Sequence, residues 1–173
     1  MKNINYEQIL LVEGNDDVHV ISALCQQCAV KETFEIKDCK GIDNILKGLP
    51  VRLKGSGEVK TIGVVIDADT DAHTRWLTIR ETLDKSGKYE AIPDDCPSKG
   101  LVLPPLSTSN IKFGLWIMPD NKTVGMLENF ILHLIPKDDM LLPVVDAVVA
   151  EIEEQGINKY PAAYHGLVST RGW

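Results

Sequence analysis

The chain has 173 residues, 44% of them hydrophobic and 25% charged, and a formal net charge of -7 at pH 7. That length buries a full core and fits a single domain, 1–173. The acidic balance excludes a generic basic coat for nucleic acid, and no apolar run approaches the roughly 20 residues of a membrane span. With no basic leader ahead of an apolar run, the expectation is a cytoplasmic protein with no membrane partner.

After a polar lead-in, Gln8 to Val12 is an apolar run of strand type. It ends abruptly in Glu13-Gly14-Asn15-Asp16-Asp17. Short continuous apolar runs are the mark of buried parallel strands, and in open α/β sheets ligands sit outside the carboxyl ends of such strands. Gly14 has no Cβ, so a tight turn and a close ligand are both allowed there. Asp16 to Ala29 reads as a helix, capped by Asn15 or Asp16. Thr33 to Asp38 alternates as a strand, and Gly41 to Leu53 follows as a helix that Pro50 breaks or restarts.

Thr61 to Ile66 repeats the first pattern. A buried strand ends in Asp67-Ala68-Asp69-Thr70-Asp71, and Ala72 to Ser86 continues as a helix with Trp76, Ile79 and Leu83 inward. Tyr89 to Ser109 is proline-rich and irregular, with a strand piece around Leu101 to Leu103. Lys112 to Met118 is the third strong strand, closed by Pro119-Asp120-Asn121. A turn through Gly125 leads to a helix from Met126 to Leu134, with Glu128 in its first turn. Met140 to Gln155 has the best helical periodicity in the chain, through Leu141, Val144, Val145, Val148, Val149 and Ile152. The fold class this order implies is α/β, a mostly parallel sheet of about four strands with helices on both faces.

Three strands thus end in acids: Glu13, then Asp67 and Asp69, then Asp120, with Glu128 just beyond. Tips of neighbouring strands lie about 4.8 Å apart, so these carboxylates converge if the strands are neighbours. Bare carboxylates that close raise one another's pKa, and a hard, oxygen-seeking cation relieves this. Such a site activates water and stabilises the leaving oxygen of a phosphodiester. Singly, each acid has a plainer reading. Asp71 reads as a helix cap, Asp16 as a cap or a solvated acid, and Asp120 as a turn former or a site acid. Glu128 reads as a dipole-favoured acid or a ligand. Lys112, Lys122 and Arg75 read as solvated charges or as phosphate contacts. Cys25, Cys28, Cys39 and Cys96 read as reduced thiols, with a zinc site as the alternative.

Leu-Val-Glu13-Gly14-x-x-Asp17, followed by Val-Val-Ile-Asp67-x-Asp69, resembles the Toprim fold. That fold is shared by topoisomerases, bacterial primases, small RNA-maturing nucleases and the OLD family nucleases. The match covers Gln8 to Asp71, with weaker support to Leu134. Gly125-x-Leu127-Glu128 is similar to the OLD nucleases and to a small stand-alone Toprim-like family. The resemblance implies a three-layer Toprim-like (Rossmannoid) sheet and a nuclease-type activity on nucleic acid with Mg²⁺, or Mn²⁺, as cofactor. It implies Glu13 as the catalytic acid or base, Asp67 and Asp69 as metal ligands, and Asp17 and Glu128 as holders of a second metal. Full OLD proteins carry an ATPase domain that this chain lacks, so an energy-coupled role needs a separate ATPase partner. The tail from about residue 156 departs from the family pattern, as a truncated or frame-shifted end would. The alternative is a non-catalytic Toprim-like module that binds a nucleic acid or a partner ATPase.

Overall fold

A computed structural model describes residues 6–31, 33–55, 58–107 and 111–157. The tail beyond Ile157 lies outside the described residues. The chain divides into two compact units, Met1–Met126 and Leu127–Trp173.

The first unit is α/β. Its elements are β1 (Gln8–Val12), α1 (Asn15–Gln27), β2 (Glu35–Asp38), α2 (Ile42–Leu53), β3 (Thr61–Asp67), α3 (Ala72–Ser86), β4 (Leu101–Leu103) and β5 (Lys112–Met118). The sheet has five strands in the order β2-β1-β3-β5-β4. All pairs are parallel except β4 with β5. The chain steps from β1 to one side for β2, then back across to β3. Right-handed crossovers in opposite directions put α1 and α2 on opposite faces. The result is a three-layer, Rossmann-like arrangement.

One face carries the main core. Leu11 of β1, Ile62, Val64 and Ile66 of β3, and Phe113, Leu115 and Ile117 of β5 alternate onto it. Against them pack Ile45, Leu49 and Leu53 of α2 and Trp76, Ile79 and Leu83 of α3. Each such side chain contributes about 1.5–3 kcal/mol by leaving water. The other face receives Leu10, Gly63 and Val65, with α1 packed on β1 and β2.

Three local expectations change. The fifth strand, β4, was legible only as a strand piece, because three residues followed by two prolines carry too little pattern. Pro50 neither breaks nor restarts α2, which runs through it to Leu53. It falls in the last turn, where one lost N–H bond is offset by the buried Leu49 and Leu53 on either side. The N-cap of α1 is Gly14, not Asn15 or Asp16. Its φ of -140° is extended backbone open to any residue, so the turn itself does not call for glycine.

The second unit holds α4 (Leu127–Leu134) and α5 (Leu142–Glu154). Asp139 accepts hydrogen bonds from the Leu141 and Leu142 amides at 2.8 Å each, just ahead of α5, whose N-cap is Leu141. No residue of α5 is buried. No helix among the described residues is long and apolar enough to cross a membrane.

Candidate active site

The site begins with register. Val12 pairs with Val65, so Glu13 leaves β1 beside the last residues of β3. There the Glu13 Oε1 accepts the backbone N–H of Asp67 at 2.8 Å. A carboxylate is thereby held at the rim by the amide at the end of the neighbouring strand. The condition for convergence, that β1 neighbours β3 and β3 neighbours β5, is met.

Glu13 is half-buried, and burial pushes its pKa above the usual carboxylate value. The Asp67 amide and the Arg75 guanidinium pull it back down, while the charges of Asp69 and Asp17 add to the rise. Charged side chains of α1, the β3–α3 turn and α3 therefore all act on the carboxylate that follows β1. Asp17 is buried, and its Oδ2 accepts the Gly14 N–H at 2.8 Å, reaching back from the third helical position to the N-cap amide of α1.

Asp67 and Asp69 differ in setting. Asp67 ends β3 and is half-buried. Asp69 is exposed and has a φ of +51°, a left-handed conformation that aspartate tolerates better than most residues. A short antiparallel bridge holds it there. Its N–H donates to the Gly125 carbonyl at 2.8 Å, and the Gly125 N–H donates back at 2.9 Å. Gly125 supplies a φ of +141°, which only glycine adopts readily. The Asp69 carboxylate forms an ion pair with Arg75, one turn into α3.

The remaining acids resolve as follows. Asp71 caps α3, accepting from the Thr74 amide at 3.0 Å and from its hydroxyl at 2.6 Å. Asp120 is a turn former, its Oδ1 accepting from the amides of Lys122 and Thr123 at 3.0 and 2.8 Å and from the Thr123 hydroxyl. Glu128 opens α4 and belongs to the second unit. Among the described residues, no group of three or more His, Cys, Asp or Glu side chains is arranged to hold a metal ion. All four cysteines are free.

Lys112 does not belong to this rim. It starts β5 opposite Thr61, whereas Asp67 pairs with Met118 at the other end. Six residues of strand, about 20 Å, separate the two edges. Sequence reasoning also gave no role to Asn121. This buried side chain accepts the Ile117 N–H at 2.7 Å and so fixes the loop that closes β5. Asn in a turn after a strand is the only signal of it in the sequence. Beside the first turn of α3 a concavity of about 410 Å³ is lined by Ala72, His73, Trp76, Asp95, Asn121 and Lys122.

The fold and site together define an α/β protein with an acidic rim where two adjacent parallel strands end. A family model described as "Protein of unknown function (DUF3226)" matches residues 7–165, and the chain belongs to that family. No curated protein and no solved structure matches the chain.

Proposed function

We propose that this chain is a Toprim-like, Mg²⁺-dependent protein that cleaves phosphodiester bonds in nucleic acid, and that it works in the cytoplasm. The observation that carries the reading is the Glu13 carboxylate, held by the Asp67 amide where burial raises its pKa, with Asp69 and Asp17 in electrostatic reach. A partly buried carboxyl at a strand tip, with its pKa raised by desolvation, is the kind of group that serves as a general acid or base.

The donor set fits a hard cation in its chemistry, since every candidate ligand is a carboxylate oxygen. Asp67 and Asp69 would hold the ion, with Asp17 of the same unit as the further acid at this rim. Bound there, a divalent cation supplies Lewis-acid polarisation of a phosphodiester and a water of lowered pKa. Asp69 has first to leave Arg75, whose guanidinium keeps its charge at any working pH and is then available to a phosphate. The concavity beside α3, with Lys122 at its edge, is large enough for one nucleotide unit.

A second reading is a non-catalytic Toprim-like module that binds nucleic acid or a separate ATPase partner. The Asp69–Arg75 pair favours it, because this acid already has its counter-ion. Calorimetry with Mn²⁺ or Mg²⁺ separates the two. Binding that disappears in Asp69→Ala supports the enzyme, and no binding at millimolar metal supports the module. The nuclease reading then stands on nicking of supercoiled DNA or cleavage of labelled RNA. A Glu13→Gln protein as active as wild type removes it.

A further inference from the structure

We infer that the first unit binds a small aliphatic monocarboxylate in a pocket at the edge of the sheet where β1 and β3 begin. The site is independent of the metal reading, because the acids of the rim lie where those strands end. The pocket measures about 230 Å³ and lies between β1 and the last turn of α2. Its wall is apolar, built from Ile9 and Leu11 of β1, Val51 of α2, and Val59, Ile62 and Ile111. Leu11, Ile62 and Ile111 are 1%, 2% and 3% exposed, so the pocket opens the margin of the core itself and is not a stripe of surface residues.

Arg52 is the charged side chain in that wall. It is half-buried, and among the described residues its guanidinium makes no ion pair. In a chain with 25 acids against 18 lysines and arginines, a half-buried cation without an acid stands out. The acids of the surrounding segments are Glu7 ahead of β1, Glu35 opposite Ile9 on β2, and Glu58 ahead of Val59, and all three are exposed. Asp38 is paired with Lys40, and Asp43 lies in the first turn of α2, at its other end. Lys37 on β2 and Lys54 and Lys60 on the adjoining turns add positive charge. Arg52 also suits the C-terminal dipole of α2, but that role needs no cavity beside it. An arginine stays charged at any working pH, and its planar fork matches a carboxylate in two parallel hydrogen bonds. One such fork on an apolar cavity is complementary to a single negative charge with an apolar body. At about 30 Å³ for each water-sized group, the cavity takes a chain of about six to eight carbons with its carboxylate at Arg52.

Calorimetry of the full chain with sodium octanoate tests this. The expected result is one site per chain, with octanol bound about tenfold more weakly and inorganic phosphate not bound there. Arg52→Gln is expected to bring octanoate down to the affinity of octanol while leaving octanol and the far-UV circular dichroism unchanged. Val51 is 70% exposed, so Val51→Glu disturbs no packing, and it is expected to abolish octanoate binding by giving Arg52 a carboxylate of its own. No binding at millimolar octanoate overturns the proposal, as does octanoate that binds no better than octanol. Binding that survives both variants places the ligand on another apolar surface and overturns it too.

Discussion

Glu13 and Asp67 lie 54 residues apart in the chain, and the Glu13 carboxylate accepts the Asp67 amide at 2.8 Å. The bond ties the end of one buried strand to the end of its neighbour through an ionisable side chain. It places a half-buried negative charge where Asp69 and Asp17 oppose it.

Neutralising that charge is expected to stabilise the metal-free protein. Glu13→Gln keeps an oxygen for the Asp67 amide and removes both the desolvation and the repulsion. The folded pKa of Glu13 lies above its unfolded value, so the cost of its charge appears as pH rises through 4.5 toward the folded pKa. The variant should therefore melt about 2–4 °C above wild type at pH 7, and the gain should vanish below about pH 4. Thermal melts across pH check this. A variant less stable than wild type at pH 7 contradicts the assignment of Glu13 as a strained site acid.

Arg75 is expected to compete with a divalent cation for Asp69. Arg75→Gln should bind Mn²⁺ several-fold tighter by calorimetry, because Asp69 no longer has to be released from a fixed positive charge. The same variant should lose stability without metal, by less than about 1 kcal/mol, since the pair is partly exposed. Unchanged metal affinity would mean that Asp69 is not a ligand.

Tyr89 tests the fold rather than the site. Its hydroxyl donates to the Ile111 carbonyl at 2.7 Å, next to the start of β5. Tyr89→Phe leaves that buried carbonyl without its donor and should cost about 1–3 kcal/mol in a denaturant titration. Burial pushes the Tyr89 pKa up to about 12, against 10 in the unfolded chain. Its contribution is complete below pH 10 and is lost as pH rises from 10 to 12. Wild type should lose stability across that window more steeply than the phenylalanine variant.

Gly100 is expected to tolerate no side chain. Its φ is +81°, and an added Cβ would stand 3.2 Å from the Leu115 carbonyl oxygen and 3.2 Å from the Trp116 ring. Backbone strain and contact act together, so Gly100→Ala should destabilise the first unit by about 1–3 kcal/mol. Chemical unfolding measures it. An unchanged midpoint would show that the segment before β4 is free to rearrange.

Much of this architecture is written in local pattern. The runs that start at Gln8, Thr61 and Lys112 are apolar in their interiors, as strands covered on both faces must be, and each becomes a parallel strand of the sheet. The acids at the ends of β1 and β3 stand out because the interiors of those strands carry no charge. Asp71 as a cap was likewise legible, since its partner Thr74 lies only three residues away.

Other features depend on residues far apart in the chain. Asp120 and Asp69 are both acids after a buried strand, yet one closes its own turn while the other is bridged to Gly125 and paired with Arg75. Lys112 read as a solvated charge or a phosphate contact, and strand direction puts it at the edge opposite the acids. Composition and period therefore established the strands, the helices and the acidic endings, because burial and hydrogen bonding act on each segment as it stands. Strand order and register decided which acids meet at one rim and which cation faces them, because those are contacts between segments that no single stretch encodes.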